Sequence, residues 1–307
     1  MSNEERFAAL FRGYTRRYGD FEITGANAKG KKTGKVSTVD AQITPDHYAR
    51  HVTGDRGIGV IPLCDDDASV HFAAIDLDEY PGSEKFKVHR NDGETDDAYK
   101  ERVAKEHRDW ADDICIQVRN EPILPTWSKS GGLHLWLFSK EGVPARVTID
   151  YLKNIAHQIG FADSEIFPKQ SMRYSKEDTG NWINMPFFGE TRTGRMVRQT
   201  DTGFDVDEIE LDRFLDVAEQ YAGETTTAFL EEYNEKAVSD TGAPTEMWYD
   251  GPPCLQRLII GNPRRIEQLE KEHERKVRDG EFDREADEKK SARYVEEQRK
   301  KLQPELV

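Results

Sequence analysis

The residues best suited to chemistry in this chain are Asp76 and Asp78, which close the apolar run Val-His-Phe-Ala-Ala-Ile-Asp-Leu-Asp over residues 70–78. Their spacing puts both carboxylates on one face of a strand. Two like charges on one face repel. The pair therefore implies either a solvated strand end or a divalent cation between the acids, and carboxylate oxygens suit Mg²⁺ or Mn²⁺. His134 is a second candidate, because it alternates away from Leu133, Leu135 and Leu137 just after the turn Ser-Lys-Ser-Gly-Gly at 128–132. That turn offers backbone N–H groups, Lys129 and Ser130 to a phosphate, while an ordinary structural histidine is the plainer alternative. The third stretch, Glu-Ile-Phe-Pro-Lys-Gln at 165–170, opens on Glu165 and ends on Lys169 and Gln170. Carboxylates on adjacent strands can hold two metals that activate a 3′ hydroxyl and clamp a triphosphate. His134 and Lys129 would then neutralise charge developing on the phosphates.

These groups need a scaffold. Residues 58–63 and 70–78 read as strands of one hairpin, which would set the acids at the end of an internal strand. Residues 123–127 and 133–138 read as a second hairpin about the glycine turn. Helices are expected over 95–119, with Trp110, Ile114 and Val118 inward, and over 145–160, with Tyr151, Leu152 and Ile155 inward. Residues 180–188 return to extended chain. Two hairpins with helices between and after them, then more strand, predict an α+β fold on a mixed, largely antiparallel sheet.

Ahead of this core, residues 4–18 read as an amphipathic helix, and Thr-Pro-Asp at 44–46 starts another. Residues 25–32 nearly spell a phosphate-binding loop. Lys32 stands where Ser or Thr should be and the following residues are poor helix formers, so a basic loop is expected instead. His47 and His51 share a helix face, but Tyr48 replaces the glutamate of a metalloprotease pattern and no third ligand is near. Residues 207–233 read as an acidic helix, 239–253 as a linker and the chain beyond Ile260 as a charged helical tail. The expected organisation is a catalytic domain over 1–220, an acidic helix and linker over 221–252, and a helical charged region over 253–307.

The formal net charge is −15, unfavourable for a nucleic-acid partner if it were spread evenly. It is not. Residues 6–35 carry eight cations against two acids, whereas residues 201–240 carry thirteen acids against two cations. Arg12, Arg16, Arg17, Lys31 and Lys32 are therefore candidate template contacts, with Arg173 further along. Three cysteines, far apart, give neither a disulfide framework nor a Cys-based zinc site. No apolar run approaches a membrane span, and the N-terminus has no apolar signal core. A cytoplasmic setting is expected.

Taken in order, Asp-Leu-Asp at 76–78, Ser-Gly-Gly-Leu-His at 130–134, Glu-Ile-Phe-Pro-Lys-Gln at 165–170 and Gly-Asn-Trp-Ile-Asn-Met-Pro at 180–186 resemble the motifs of the archaeo-eukaryotic primase superfamily. The likeness is greatest to the phage- and plasmid-type primase-polymerases. It covers about residues 6–190, and 251–260 weakly. It implies an RRM-like catalytic sheet with an N-terminal α/β unit, and template-directed polymerisation of nucleoside triphosphates on single-stranded DNA, with or without a primer. It makes Asp76 and Asp78 metal ligands and His134 a triphosphate contact. Two departures stand out. The second motif commonly has Ser two positions before the histidine, where this chain has Gly132, and the third often supplies an aspartate where Glu165 is the choice here. Many relatives continue into a helicase module. This chain is then either a stand-alone polymerase or part of something longer. A single-strand-binding replication or defence component without catalysis is the competing expectation.

Overall fold

The structure, a computed structural model, describes residues 1–223 apart from 27–31, 67, 82, 84–85 and 174–179. All of these lie in one compact unit, Met1–Gly242; a second unit, Ala243–Val307, falls outside the described residues, as do the expected linker and charged tail. The chain opens with α1 (Asn3–Leu10), β1 (Tyr18–Ala26), β2 (Lys32–Val39), α2 (Pro45–Val52), β3 (Gly57–Val60) and β4 (Ser69–Leu77). It continues through α3 (Asp96–Gln117), β5 (Ile123–Trp127), β6 (Leu133–Pro144), α4 (Ala145–Gln158) and β7 (Glu165–Phe167). β8 (Ile183–Asn184), β9 (Gly194–Thr200), β10 (Gly203–Ile209) and α5 (Leu211–Tyr221) complete it.

Two sheets result, ordered β2-β1-β3-β8 and β10-β9-β5-β6-β4-β7, and their strand pairs are antiparallel. Alternation in the larger sheet splits the apolar residues into two layers. Ala73, Ile75 and Leu77 of β4 and Leu133, Leu135 and Leu137 of β6 join a core with Ile114 of α3 and Leu152 and Ile155 of α4. Phe72, Ala74, Trp136 and Phe138 point the other way, into a core with Phe7 and Phe11 from the start of the chain, Ile58 and Val60 of β3, and Phe214 of α5. A buried Phe or Trp in such a layer is worth about 3–5 kcal/mol against alanine, so the N-terminal unit is bound firmly to the larger sheet. Arg6 reinforces it, donating to Asp216 at 2.7 Å and Glu219 at 2.8 Å on α5. No helix of the described residues is long and apolar enough to cross a membrane.

Several expected elements change. The helix expected over 4–18 starts well, with a Ser2–Glu5 capping box, but ends at Leu10. The cause lies just beyond it: a Cβ on Gly13 would stand 2.1 Å from the Ile61 carbonyl oxygen, so the chain must leave the helix to pass this backbone. The hairpin of 58–63 with 70–78 does not form. Both edges of β3 are taken, by β1 and β8, and among the described residues strand pairing between the two segments is limited to the bridge from Leu63 to Val70. Of the loop expected at 25–32, Gly25 and Ala26 belong to β1 and Lys32 to β2, which pair antiparallel, while residues 27–31, Lys31 among them, lie outside the described residues. Residues 207–209 finish β10 rather than opening a helix, which begins at Leu211.

His51, one of the two helix-face histidines, is a structural group. Its Nε2–H donates to the Pro186 carbonyl at 2.8 Å and its Nδ1 accepts the Ile58 N–H at 3.1 Å. Burial pushes its pKa down to about 4. In the unfolded chain the imidazole takes its proton near 6.5. The fold therefore has its full advantage above that pH and loses it as pH falls toward 4, by on the order of 3 kcal/mol. The expected result is an NMR titration in which the His51 ring stays neutral down to about pH 5, together with a denaturation midpoint that drops between pH 6.5 and 4. A ring titrating at its ordinary pKa would contradict this.

Candidate active site

In the larger sheet β6, β4 and β7 lie side by side, and their register sets His134 opposite Asp76 and Asp76 opposite Glu165. Thr126 of β5 stands opposite His134 on the far side, and Gly194 of β9 opposite Thr126. Residues facing one another across strands share a face. All three sequence candidates therefore fall in one row, on the face that also carries Ala74 and Trp136. The row lies where that apolar layer gives out: Ala74 and Trp136 are fully buried, the Asp76 side chain is 17% exposed and Glu165 is open to solvent. Asp78 is exposed, one residue past the end of β4. Continuing the register sets it opposite Gly132.

Gly132 answers the first departure from the motif. A Cβ there would stand 2.0 Å from the Leu77 carbonyl oxygen and 3.3 Å from the Asp78 Cα. No serine fits at that position. The absence of a side chain lets the 128–132 turn close on the end of β4, and Ser128 N–H donates to the Gly132 carbonyl at 2.8 Å to complete the hairpin.

Among the described residues, three polar atoms on this face are buried without a hydrogen-bond partner: Asp76 Oδ1, His134 Nδ1 and Ser128 Oγ. His134 Nε2 stands 3.4 Å from Asp76 Oδ1, at the edge of hydrogen-bond range. Orphaned buried groups are rare in folded proteins, and a ligand that completes them is one physical reason for their persistence. An unpaired carboxylate oxygen at a partly open strand end suits a hard cation. Among the described residues, however, no group of three His, Cys, Asp or Glu side chains is gathered closely enough to form a metal cage. Glu165 is held by Lys169, whose Nζ is 2.8 Å from its carboxylate and 5.1 Å from the centroid of the Phe167 ring.

The other candidates disperse. Lys129 Nζ sits 3.0 Å from the Phe21 ring centroid, so the glycine turn reaches across to β1. Ser130 and Gln170 are partly buried. Arg173 donates to the Cys64 carbonyl at 2.9 Å and lies 4.0 Å over the Tyr14 ring. Arg12 donates to the carbonyls of Lys140 at 2.5 Å and Ala9 at 3.0 Å and meets His71 Nδ1 at 2.8 Å, at the end of β4 away from Asp76. Arg16 lies 3.7 Å from Asp65, and Arg17 pairs with Asp40. Lys31 is outside the described residues, and Lys32 begins β2.

Two contributors were missed by the motifs. Ser128 sits in the turn from which the sequence singles out only Lys129 and Ser130. His107, on α3, meets the Glu79 carbonyl at 3.2 Å and packs against Trp127 and Trp110 at 5.3 and 5.4 Å between ring centroids. It ties the chain just past Asp78 to the helix layer. No sequence signal marked it, because a helix residue facing a strand end has no spacing of its own. A cavity of about 200 Å³ lies elsewhere, lined by Tyr18, Asp20, Val39, His47, Arg50, Arg56 and Ile58. Arg56 holds Asp20 at 2.5 Å and Arg50 holds Asp55 at 2.6 Å, so its guanidiniums are already neutralised.

The family model "TOTE conflict system, Archaeo-Eukaryotic Primase domain" matches residues 12–217, which contain every strand of the row. No curated protein matches. Among solved structures, the primase RepB′ aligns over 78% of this chain and 69% of its own, at 8% identity and a TM-score of 0.27. On the family match, which spans most of the chain, the protein belongs to the archaeo-eukaryotic primases, nucleotidyltransferase-type enzymes of nucleic-acid synthesis, through the domain of TOTE conflict systems.

Proposed function

We propose that this chain is a template-directed polymerase that joins nucleoside triphosphates to a 3′ hydroxyl on single-stranded DNA, with or without a primer. The observation that carries this reading is the row His134–Asp76–Glu165, with its orphaned Asp76 oxygen, beside the Gly132 turn. Asp76 and Asp78 are the residues to hold Mg²⁺ or Mn²⁺, and Glu165 is the third acid available to them. When bound, such ions supply Lewis-acid stabilisation of the transferring phosphoryl group and lower the pKa of the attacking hydroxyl. His134 then donates to a phosphate oxygen, and Lys129 and Ser130 bring a cation and a hydroxyl to the same side. Lys169 has a double position: it pairs with Glu165, and with Gln170 it lines the chain leading from β7 toward the phosphates or template. Arg12, Arg16, Arg17, Lys31, Lys32 and Arg173 remain the candidate template contacts; Arg16, with its side chain 71% exposed and its acid 3.7 Å away, is the most available of those described.

One observation favours a second reading. Lys169 neutralises Glu165, which leaves two acids rather than three for metal. A domain that binds single strands without catalysis would have this arrangement too. The family's description names a conflict system, so defence is the setting we propose ahead of phage or plasmid replication, and a helicase is a candidate partner.

Extension of a labelled primer on single-stranded template, with unprimed synthesis in parallel, separates the two readings. The polymerase reading expects incorporation with Mg²⁺ or Mn²⁺ and loss on chelation. Strand binding with no incorporation under any metal or nucleotide condition would support the binding module instead.

A further inference from the structure

We propose that Ser128 is a binding residue for the triphosphate of the incoming nucleotide, supplying from the opposite strand the hydroxyl that Gly132 cannot carry. The inference rests on the polymerase reading of the site and adds a residue to it. Trp127 pairs with Leu133, and the Ser128 N–H donates to the Gly132 carbonyl at 2.8 Å, so Ser128 stands directly across the hairpin from Gly132. Alternation then puts its side chain on the face of Thr126 and His134. Extending the same register through β4 brings Asp78 to the other side of Gly132. Ser128, the side-chain-free Gly132 and Asp78 thus form a second row, next to the row of His134 and Asp76.

The state of the hydroxyl points to a ligand. Ser128 Oγ is buried and makes no hydrogen bond. A serine hydroxyl in a turn ordinarily bonds a nearby backbone group. Here the turn is closed by backbone bonds alone, from the Ser128 N–H to the Gly132 carbonyl and from the Gly131 N–H to the Ser128 carbonyl at 3.0 Å. The hydroxyl is left over. In a turn that also carries Lys129, the acceptor that suits it is an anionic phosphate oxygen. Thr126 differs in this respect, because its Oγ1 already accepts the Trp136 indole N–H at 2.8 Å.

The test is calorimetric binding of ATP and dATP, with Mg²⁺ and no template, to the full chain and to Ser128→Ala and Ser128→Thr. The expected loss for Ser128→Ala is about 10-fold in triphosphate affinity, the size of a charge-assisted hydrogen bond, and Ser128→Thr should recover most of it. Without nucleotide the alanine variant should melt no lower than wild type, because no bond within the protein is lost. A structural serine would give the reverse pattern, a lower melting temperature with affinity unchanged, and that result overturns the proposal. If wild type binds neither nucleotide, the polymerase reading falls and this proposal falls with it. If wild type binds and Ser128→Ala binds equally well, the proposal alone is wrong.

Discussion

Asp76→Ala and Asp78→Ala are each expected to lower nucleotide incorporation by at least on the order of 10²-fold, as when a group that stabilises the transition state is removed, while single-strand binding stays within a few-fold of wild type. The reason is positional. Asp76 is partly buried in the middle of a row of strands, with one oxygen that no group of the protein satisfies. Removing it takes away a carboxylate whose buried oxygen satisfies no donor among the described residues, so the melting temperature should hold or rise. A folded variant with a dead site is the expected outcome. Normal polymerisation by both variants would remove the acids from the mechanism.

Gly132→Ala is expected to damage both the fold and the site. Its Cβ would meet the Leu77 backbone oxygen at 2.0 Å, and backbone cannot move aside as the end of a side chain can. The hairpin must lift from the end of β4. Overpacking of this kind costs about 1–3 kcal/mol, which in a domain of this size lowers the melting temperature by roughly 2–12 °C. The larger effect falls on activity. Gly132 spaces Asp78 from the turn, and a displacement of about 1 Å at reacting groups can cost on the order of 10²-fold in rate. Thermal melting and primer extension on the same preparation measure the two losses together. A variant that melts and extends like wild type would show that the contact relaxes freely.

The candidate site was more legible in the sequence than the fold around it. Alternation alone sets His134 apart from Leu133 and Leu135, and the Ser-Lys-Ser-Gly-Gly turn fixes the register of its hairpin, so its face follows from local pattern. That Asp76 and Glu165 join the same row depends on β7 pairing with β4 across about ninety residues of chain, which no local pattern states. The first hairpin misled for a related reason. Residues 58–63 and 70–78 look like partners because they are close in sequence, yet β1 and β8 fill the edges of β3 first. The β1–β2 hairpin was hidden by glycines and lysines that read as loop, although Gly34 pairs with Ile23 across the two strands and a Cβ on it would stand 2.5 Å from the Phe21 ring. The arginines show the limit most clearly. Composition makes residues 6–35 basic, but that Arg6 is held by α5 and Arg17 by Asp40 is tertiary information. Ser128 was invisible for the same reason, since a hydroxyl becomes an orphan only when the fold buries it.

Template copying by this row of strands can be measured base by base. Its most direct measurement offers labelled nucleotides singly to wild-type protein on homopolymeric single strands with Mg²⁺ or Mn²⁺, each strand tested with and without a complementary primer. Incorporation of the complementary nucleotide only, abolished in Asp76→Ala, is the expected result. Incorporation indifferent to the template, or none with any strand, metal or nucleotide, would contradict it.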